Sequence, residues 1–323
     1  ISCSLVGSEM CIRDRQYPKV SVMIPTYNQE NYIAQAIESV LMQDYENLEI
    51  IISDDCSTDK TGEIAQKYAS DSRVRYIRNT RNLGRVGNYR NTLLKHTTGE
   101  WVVNLDGDDY YTDNTFISRA ICSILSQKNV VCLFGNKHFP HKLQEYVEYK
   151  ISETSYLLPG KFYLKQFSRI GAFSHLTTLY KRDVAIADGL CYTYEGLQAD
   201  FHGIVRLSVY GNVILAKETG CHWRKHIANA TSSLSPIEKY IQGRRCQYKI
   251  MHDIGTHFSD QEKRQWLEDT KVNVKRGYIL DNLVFNHSLY SIKIGILNFR
   301  FDKVFIIIYI KAVLATLFKI NLF

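Results

Sequence analysis

Short apolar runs that end in oxygen-rich turns and are followed by a helical repeat recur through the first half of the chain. Val20 to Ile24 runs into Pro25-Thr26-Tyr27-Asn28, after which Ile33, Ala36, Ile37, Val40 and Leu41 return at helical spacing. Leu48 to Ser53 ends in Asp54-Asp55-Cys56-Ser57-Thr58-Asp59, and Ile64, Ala65 and Tyr68 mark the next helix face. Val74 to Ile77 is a third strand, Val86 to Lys95 a helix and Trp101 to Leu105 a fourth strand. A helix around Ile117 to Leu125 and a strand from Val130 to Phe134 follow. Parallel strands need a crossover between them, so this alternation predicts an α/β fold built on a mostly parallel sheet flanked by helices. Ligands of such sheets collect beyond the carboxyl ends of the strands, where the connection order reverses. Pro25 to Asn28, Asp54-Asp55 and Asp106 to Asp109 are therefore expected to converge.

The fourth strand ends in Asp106-Gly107-Asp108-Asp109. Carboxylates one residue apart at a sheet edge can grip a hard divalent cation that keeps positions open for substrate phosphates, which points to a nucleotide diphosphate. Asp and Gly are also ordinary turn residues, so this motif alone is weak. Ser57 to Asp59 read as a helix cap, but capping leaves the adjacent Asp54-Asp55 pair unexplained. Carboxylates there can accept hydrogen bonds from a base N–H or from ribose hydroxyls.

Together, Val20 to Asn28, Ile51 to Asp59 and Gly99 to Asp109 resemble a family 2 glycosyltransferase of the GT-A fold. The resemblance is tight from Val20 to Asp113 and loose from there to Ser233. It implies a GT-A domain over 17–233, while residues 1–16, which do not join the strand pattern, read as a non-native or disordered leader. A helical region with an apolar, membrane-associated tail then covers 234–323. By this resemblance Pro25, Thr26, Tyr27, Asp54 and Asp55 meet the base and ribose of a nucleotide sugar. Asp106 and Asp108 form the Asp-x-Asp element that meets ribose and a Mn2+ or Mg2+ ion. Arg90 and Asn91 belong to a helix that helps hold the nucleotide, with Asn88 as the alternative equivalent of Asn91. An inverting transfer also needs a base for the acceptor hydroxyl. The family's acidic pair corresponds to Ala199-Asp200, so Asp200 is the expected base, Ala199 replaces the first acid, and Glu195 is the fallback. His226, in His222-Trp223-Arg224-Lys225-His226, is the expected third metal ligand, while Arg224 or Lys225 can neutralise the leaving group.

The formal net charge of +7 suits an acidic donor and an anionic membrane surface, whereas no helix-turn-helix, finger or aromatic-basic platform supports nucleic-acid binding. The eight cysteines form no Cys-x-x-Cys pair, which argues against a zinc cluster and for reduced thiols in the cytosol. No run of eighteen uncharged apolar residues exists to span a bilayer. Val304 to Phe318 is nevertheless almost wholly apolar and flanked by Arg300, Lys303 and Lys319, the composition of an interfacial segment at the inner face of the cell membrane or of a core element. The expected activity is inverting transfer of a hexose-type sugar from a UDP-sugar to a hydroxyl of a surface glycan or lipid-linked acceptor. Its rivals are a non-catalytic sugar-nucleotide-binding or scaffold protein and a sugar-1-phosphate nucleotidyltransferase. The nucleotidyltransferase would require a Gly-rich basic loop where this chain has Pro25 to Asn28.

Overall fold

The computed structural model describes residues 17–136, 149–170, 174–189, 191–217, 220–226, 236–266 and 268. The expected leader and the apolar segment 304–318 lie outside them. Strands β1 (Val20–Thr26), β2 (Leu48–Asp54), β3 (Val74–Arg78) and β4 (Trp101–Asn104) are linked by helices α1 (Ile33–Leu41), α2 (Thr61–Lys67) and α3 (Gly84–Lys95). Short strand β5 (Tyr110–Tyr111), helix α4 (Phe116–Leu125), strands β6 (Val130–Asn136), β7 (Tyr149–Ser152) and β8 (Ser155–Pro159), and helix α5 (Gly160–Ile170) follow. Strand β9 (Thr178–Lys181), helices α6 (Arg182–Asp188) and α7 (Ala199–Val205), strands β10 (Asn212–Lys217) and β11 (Cys221–His222), and helix α8 (Pro236–Ile254) complete the described strands and α-helices.

Among the described residues nine strands form one sheet in the order β3-β2-β1-β4-β9-β6-β10-β8-β7, and β11 pairs with β5 in a small second sheet. The first four strands are parallel to one another, as are β6 and β10. The expectation of a mostly parallel sheet holds where the candidate site lies. Beyond it β9 runs antiparallel between β4 and β6, and β7 and β8 close the far edge as antiparallel strands. Because β2 and β4 flank β1 on opposite sides, the connection order reverses at β1. A crevice therefore opens beyond Thr26 and Asn104.

The sheet separates two apolar layers, and the alternation of strand side chains sorts residues between them. Val20, Val22 and Ile24 of β1 join α1 and α4 on one face. Met23 faces α3, α7 and α8 on the other, where Cys246, Ile250, Met251 and Ile254 of α8 share the cluster with Ile204 and Val205 of α7. Every residue of β1 and β2 is buried, which explains their near-continuous apolar character. Proline in a central strand ordinarily breaks a ladder, but pairing with β4 stops at Met23, so Pro25 lies past the doubly paired part.

The end of α6 is fastened to the chain after α7 by a two-pronged ion pair. Arg206 is fully buried, its Nη1 and Nη2 lying 3.1 and 2.5 Å from the carboxylate oxygens of Asp188. Its Nε also donates to the His202 carbonyl at 2.9 Å. Removing one partner leaves the other charge buried without its counterion. Asp188→Ala is therefore expected to lower unfolding stability by about 3 kcal/mol, measured as the shift in a urea melt with the slope held constant. An unchanged midpoint would contradict this anchoring role.

Candidate active site

A cavity of about 920 Å³ opens at the carboxyl ends of β1, β2 and β4. Its floor is shaped by tight loops. Asn28 takes the left-handed conformation (φ 51°) that Asn tolerates, its N–H donating to Ser57 Oγ at 3.0 Å and its Oδ1 accepting Thr58 N–H at 2.8 Å. These bonds stitch the turn after β1 to the turn after β2. Gly107 is required by space: a Cβ there would crowd Gln29 Oε1 and sit 2.8 Å from Thr26 Oγ1.

Pro25, Thr26 and Tyr27 line the cavity as expected, and so does Asp55, which accepts from Asn79 Nδ2 at 2.9 Å and from Leu83 N–H at 2.8 Å. Asp54 does not reach it. Successive side chains leave a strand on opposite sides, and Asp54 turns instead to Tyr76 Oη at 2.7 Å, Arg78 Nη1 at 3.1 Å and Ser57 N–H at 2.8 Å. Both acids were expected at the crevice, and of the two only Asp55 lines the cavity. Arg90 and Asn91 are likewise off the cavity. Arg90 Nη1 approaches the Cys191 carbonyl at 3.4 Å and Asn91 Nδ2 donates to Asn79 Oδ1 at 3.1 Å. Asn88, the alternative, lies on the wall with its amide locked to Ser53: Nδ2 donates to the Ser53 carbonyl at 2.8 Å and Oδ1 accepts Ser53 Oγ–H at 2.6 Å.

The acidic turn after β4 brings carboxylate oxygens of Asp106, Asp108 and Asp109 within 4.8 Å of one another. Burial and the Asp106 charge raise the pKa of Asp108 against the pull of His226, and they push Asp109 up to about 8 although the Arg224 N–H bonds to it. Asp109 Oδ1 accepts that N–H at 2.7 Å, while its Oδ2 is buried without a hydrogen-bond partner. An orphaned carboxylate oxygen beside two further carboxylates is a donor set that fits a hard divalent cation. Asp109 is thus a candidate ligand that the sequence reading left out. The expected third ligand, His226, stacks on Tyr32 and places Nε2 2.8 Å from Asp108 Oδ2. It touches the cluster through Asp108.

On the other side Asp200, near the start of α7, also lines the cavity, whereas Glu195 does not. Ala199 is fully buried in the apolar cluster behind α7, so the side chain at the family's first acidic position faces the core. Its lack of a carboxylate takes no charge out of the cavity.

Between Asp106 and Asp200 stands His175, which the sequence reading missed. Its Nε2 is 3.1 Å from Asp106 Oδ2 and its Nδ1 is 3.1 Å from Asp200 Oδ2. Burial works against charge on the ring, but the two carboxylates outweigh it and hold the imidazole pKa well above its ordinary value. Burial also opposes ionisation of Asp106 and Asp200, and His175 overrides it, keeping both pKa values low; Tyr89 Oη adds a hydrogen bond to Asp106. Because β9 runs antiparallel to β4, it is the segment before β9, not after it, that reaches the crevice, and the polar turn Ser174-His175 precedes Thr178.

The profile of the family described as "Glycosyl transferase family 2" matches residues 21–187, just over half of the chain. The chain belongs to glycosyl transferase family 2. Among curated members, the poly(ribitol-phosphate) beta-N-acetylglucosaminyltransferase TarS of Staphylococcus aureus is 39% identical over 104 residues, 32% of this chain and 18% of TarS. The Escherichia coli UDP-Glc:alpha-D-GlcNAc-diphosphoundecaprenol beta-1,3-glucosyltransferase WfgD is 36% identical over 117 residues, 36% of this chain and 45% of WfgD. The matches thus span less than half the length of these relatives. Among solved structures, residues 1–349 of S. aureus TarS superpose with a TM-score of 0.59 at 19% identity, covering 91% of this chain and 81% of that one. The mannosyltransferase PcManGT of Pyrobaculum calidifontis gives 0.56 at 18% identity, covering 95% and 89%. These likenesses establish the GT-A fold. The cavity of this family 2 member is accordingly its candidate functional site.

Proposed function

We propose that the protein transfers a hexose-type sugar, with inversion and with a divalent cation, from a nucleotide diphosphate sugar to a hydroxyl of a surface glycan or lipid-linked acceptor. The donor in this reading is a UDP-sugar. One observation carries it: a single cavity holds a three-carboxylate cluster with an orphaned oxygen and, across His175, a further carboxylate held ionised. Asp106, Asp108 and Asp109 would hold Mn2+ or Mg2+, which when bound neutralises the charge that develops on the departing diphosphate. Thr26, Tyr27 and Asp55 line the end nearest β1 and β2 and receive the base and ribose. Asp200 takes the acceptor's hydroxyl proton. His175 keeps that carboxylate ionised and oriented between turnovers.

The names of related proteins support the substrate classes. WfgD is named for UDP-glucose and a diphosphoundecaprenol-linked acceptor, and TarS for a poly(ribitol-phosphate) acceptor. PcManGT was solved with GDP-mannose and Mn2+. In this reading the reaction takes place at the inner face of the cell membrane, and the apolar segment 304–318, outside the described residues, would be a surface contact. Among the described residues no helix is long and apolar enough to cross a membrane, and the described cysteines are free thiols.

The test is an incubation with UDP-glucose, UDP-galactose, UDP-GlcNAc and GDP-mannose, with Mn2+ or with a chelator, read by mass spectrometry for released sugar and nucleoside diphosphate. At least one UDP-sugar should be cleaved with Mn2+ and none with the chelator. A protein that binds these nucleotides and cleaves none would instead be a non-catalytic binder, the reading that competes most directly.

A further inference from the structure

The chain has three tryptophans, and two are core residues: Trp101 is 3% and Trp266 5% exposed. Trp223 is 48% exposed and lines the cavity. Leaving an indole this far in water forgoes apolar burial, yet its backbone is held in place with unusual care. It directly follows β11, which pairs with β5. The next residue, Arg224, donates N–H to Asp109 Oδ1 at 2.7 Å and Nε–H to the Asp108 carbonyl at 2.8 Å. The Arg224 guanidinium also lies over the rings of Tyr32 and Tyr110, at 4.8 and 5.2 Å from their centroids. The indole is thus carried on the same scaffold as the acidic cluster.

The cavity wall around Asp200 adds what an aromatic plate lacks. Gln198 precedes α7, Phe201 follows Asp200, and Gln247 comes from α8. Primary amides both donate and accept hydrogen bonds, which suits neighbouring sugar hydroxyls, while the C–H face of a pyranose packs on an aromatic ring. Gln198, Phe201, Trp223 and Gln247 all lie beyond residues 21–187, the segment that matches the family. Lys225 Nζ, 5.8 Å from the Trp223 centroid, is near the outer limit of a cation–π contact and belongs to an exposed side chain, so a sugar can displace it.

We infer that Trp223, with Gln198, Phe201 and Gln247, forms the acceptor subsite, and that this subsite takes a pyranose ring stacked on the indole. The inference rests on the transferase reading and deepens it: the acceptor hydroxyl that reaches Asp200 belongs to a sugar, not to a polyol or a protein side chain.

The experiment uses the full chain with UDP and Mn2+, titrated with octyl glucoside, octyl galactoside and octyl N-acetylglucosaminide below their micelle concentrations, with octanol and ribitol as controls. Tryptophan emission is read, and because Trp101 and Trp266 are buried, the exposed fluorophore dominates a change in solvent contact. A saturable emission change with at least one pyranoside and none with octanol or ribitol is expected. Trp223→Ala should weaken binding of that pyranoside at least tenfold by calorimetry while moving UDP affinity less than threefold, and Trp223→Tyr should restore most of the loss. No saturable response to any pyranoside, or an equal response to ribitol, overturns the inference. So does a Trp223→Ala defect confined to nucleotide sugar over UDP, which would assign the indole to the donor's sugar. Failure of UDP itself to bind would count against the transferase reading instead.

Discussion

Asp108→Asn is expected to lower sugar transfer by at least about a thousandfold, the scale of losing a charge-stabilising element aimed at a departing group. The substitution keeps the size and one oxygen acceptor of the side chain, so hydrogen bonding to His226 Nε2 at 2.8 Å can persist when the ring donates. What it removes is negative charge at the point where three carboxylates meet. The loss should therefore appear in kcat and in Mn2+ affinity measured calorimetrically with UDP, while the melting temperature of the cation-free protein holds or rises. Relief of repulsion from Asp106, which raises the pKa of Asp108 after burial, accounts for that sign. Transfer at the unmodified rate with Mn2+ present would refute the metal role assigned to this carboxylate.

The second large effect is expected at Asp200. Asp200→Asn should lower kcat by about 10²- to 10⁴-fold, the usual worth of a positioned general base, while UDP and Mn2+ affinities change little. The separation follows from the geometry, because Asp200 reaches the acidic cluster only through His175. Asp200 lines the cavity beside α7, whereas Glu195 is off it and Ala199 is buried in the core. A matching substitution, Glu195→Gln, should leave the rate within about twofold, as surface changes away from a site generally do. If Asp200→Asn kept its rate and Glu195→Gln lost it, the fallback would become the base.

Much of this arrangement is legible in the amino-acid sequence. Strand and helix periods placed β1 to β4 and α1 to α4, because elements buried on one face or on both must repeat apolar residues at the strand or helix spacing. The crevice rule then put Thr26, Asp55 and Asp106 into one cavity. It misled where the local direction mattered. Asp54 and Asp55 are adjacent on an extended segment and so face different ways, a distinction a motif cannot carry. Arg90 and Asn91 fall off the wall while Asn88 is on it, since helix phase selects among close neighbours. His175 was invisible because the crevice rule assumes strands that end at the site, and β9 begins there. The resemblance implies Asp106, Asp108 and His226 as metal ligands, and it is the buried, unpartnered oxygen of Asp109 that adds this residue as a candidate.

The central claim is that Asp106, Asp108 and Asp109 gather one divalent ion that holds the diphosphate of a nucleotide sugar. Anomalous diffraction at the manganese edge, from crystals grown with Mn2+ and UDP, tests it most directly. One strong peak is expected among these carboxylates, about 2 Å from their oxygens, with diphosphate oxygens completing the shell and uracil toward Thr26 and Asp55. UDP bound in the cavity with no peak at the cluster, or a peak held by residues elsewhere, would contradict it.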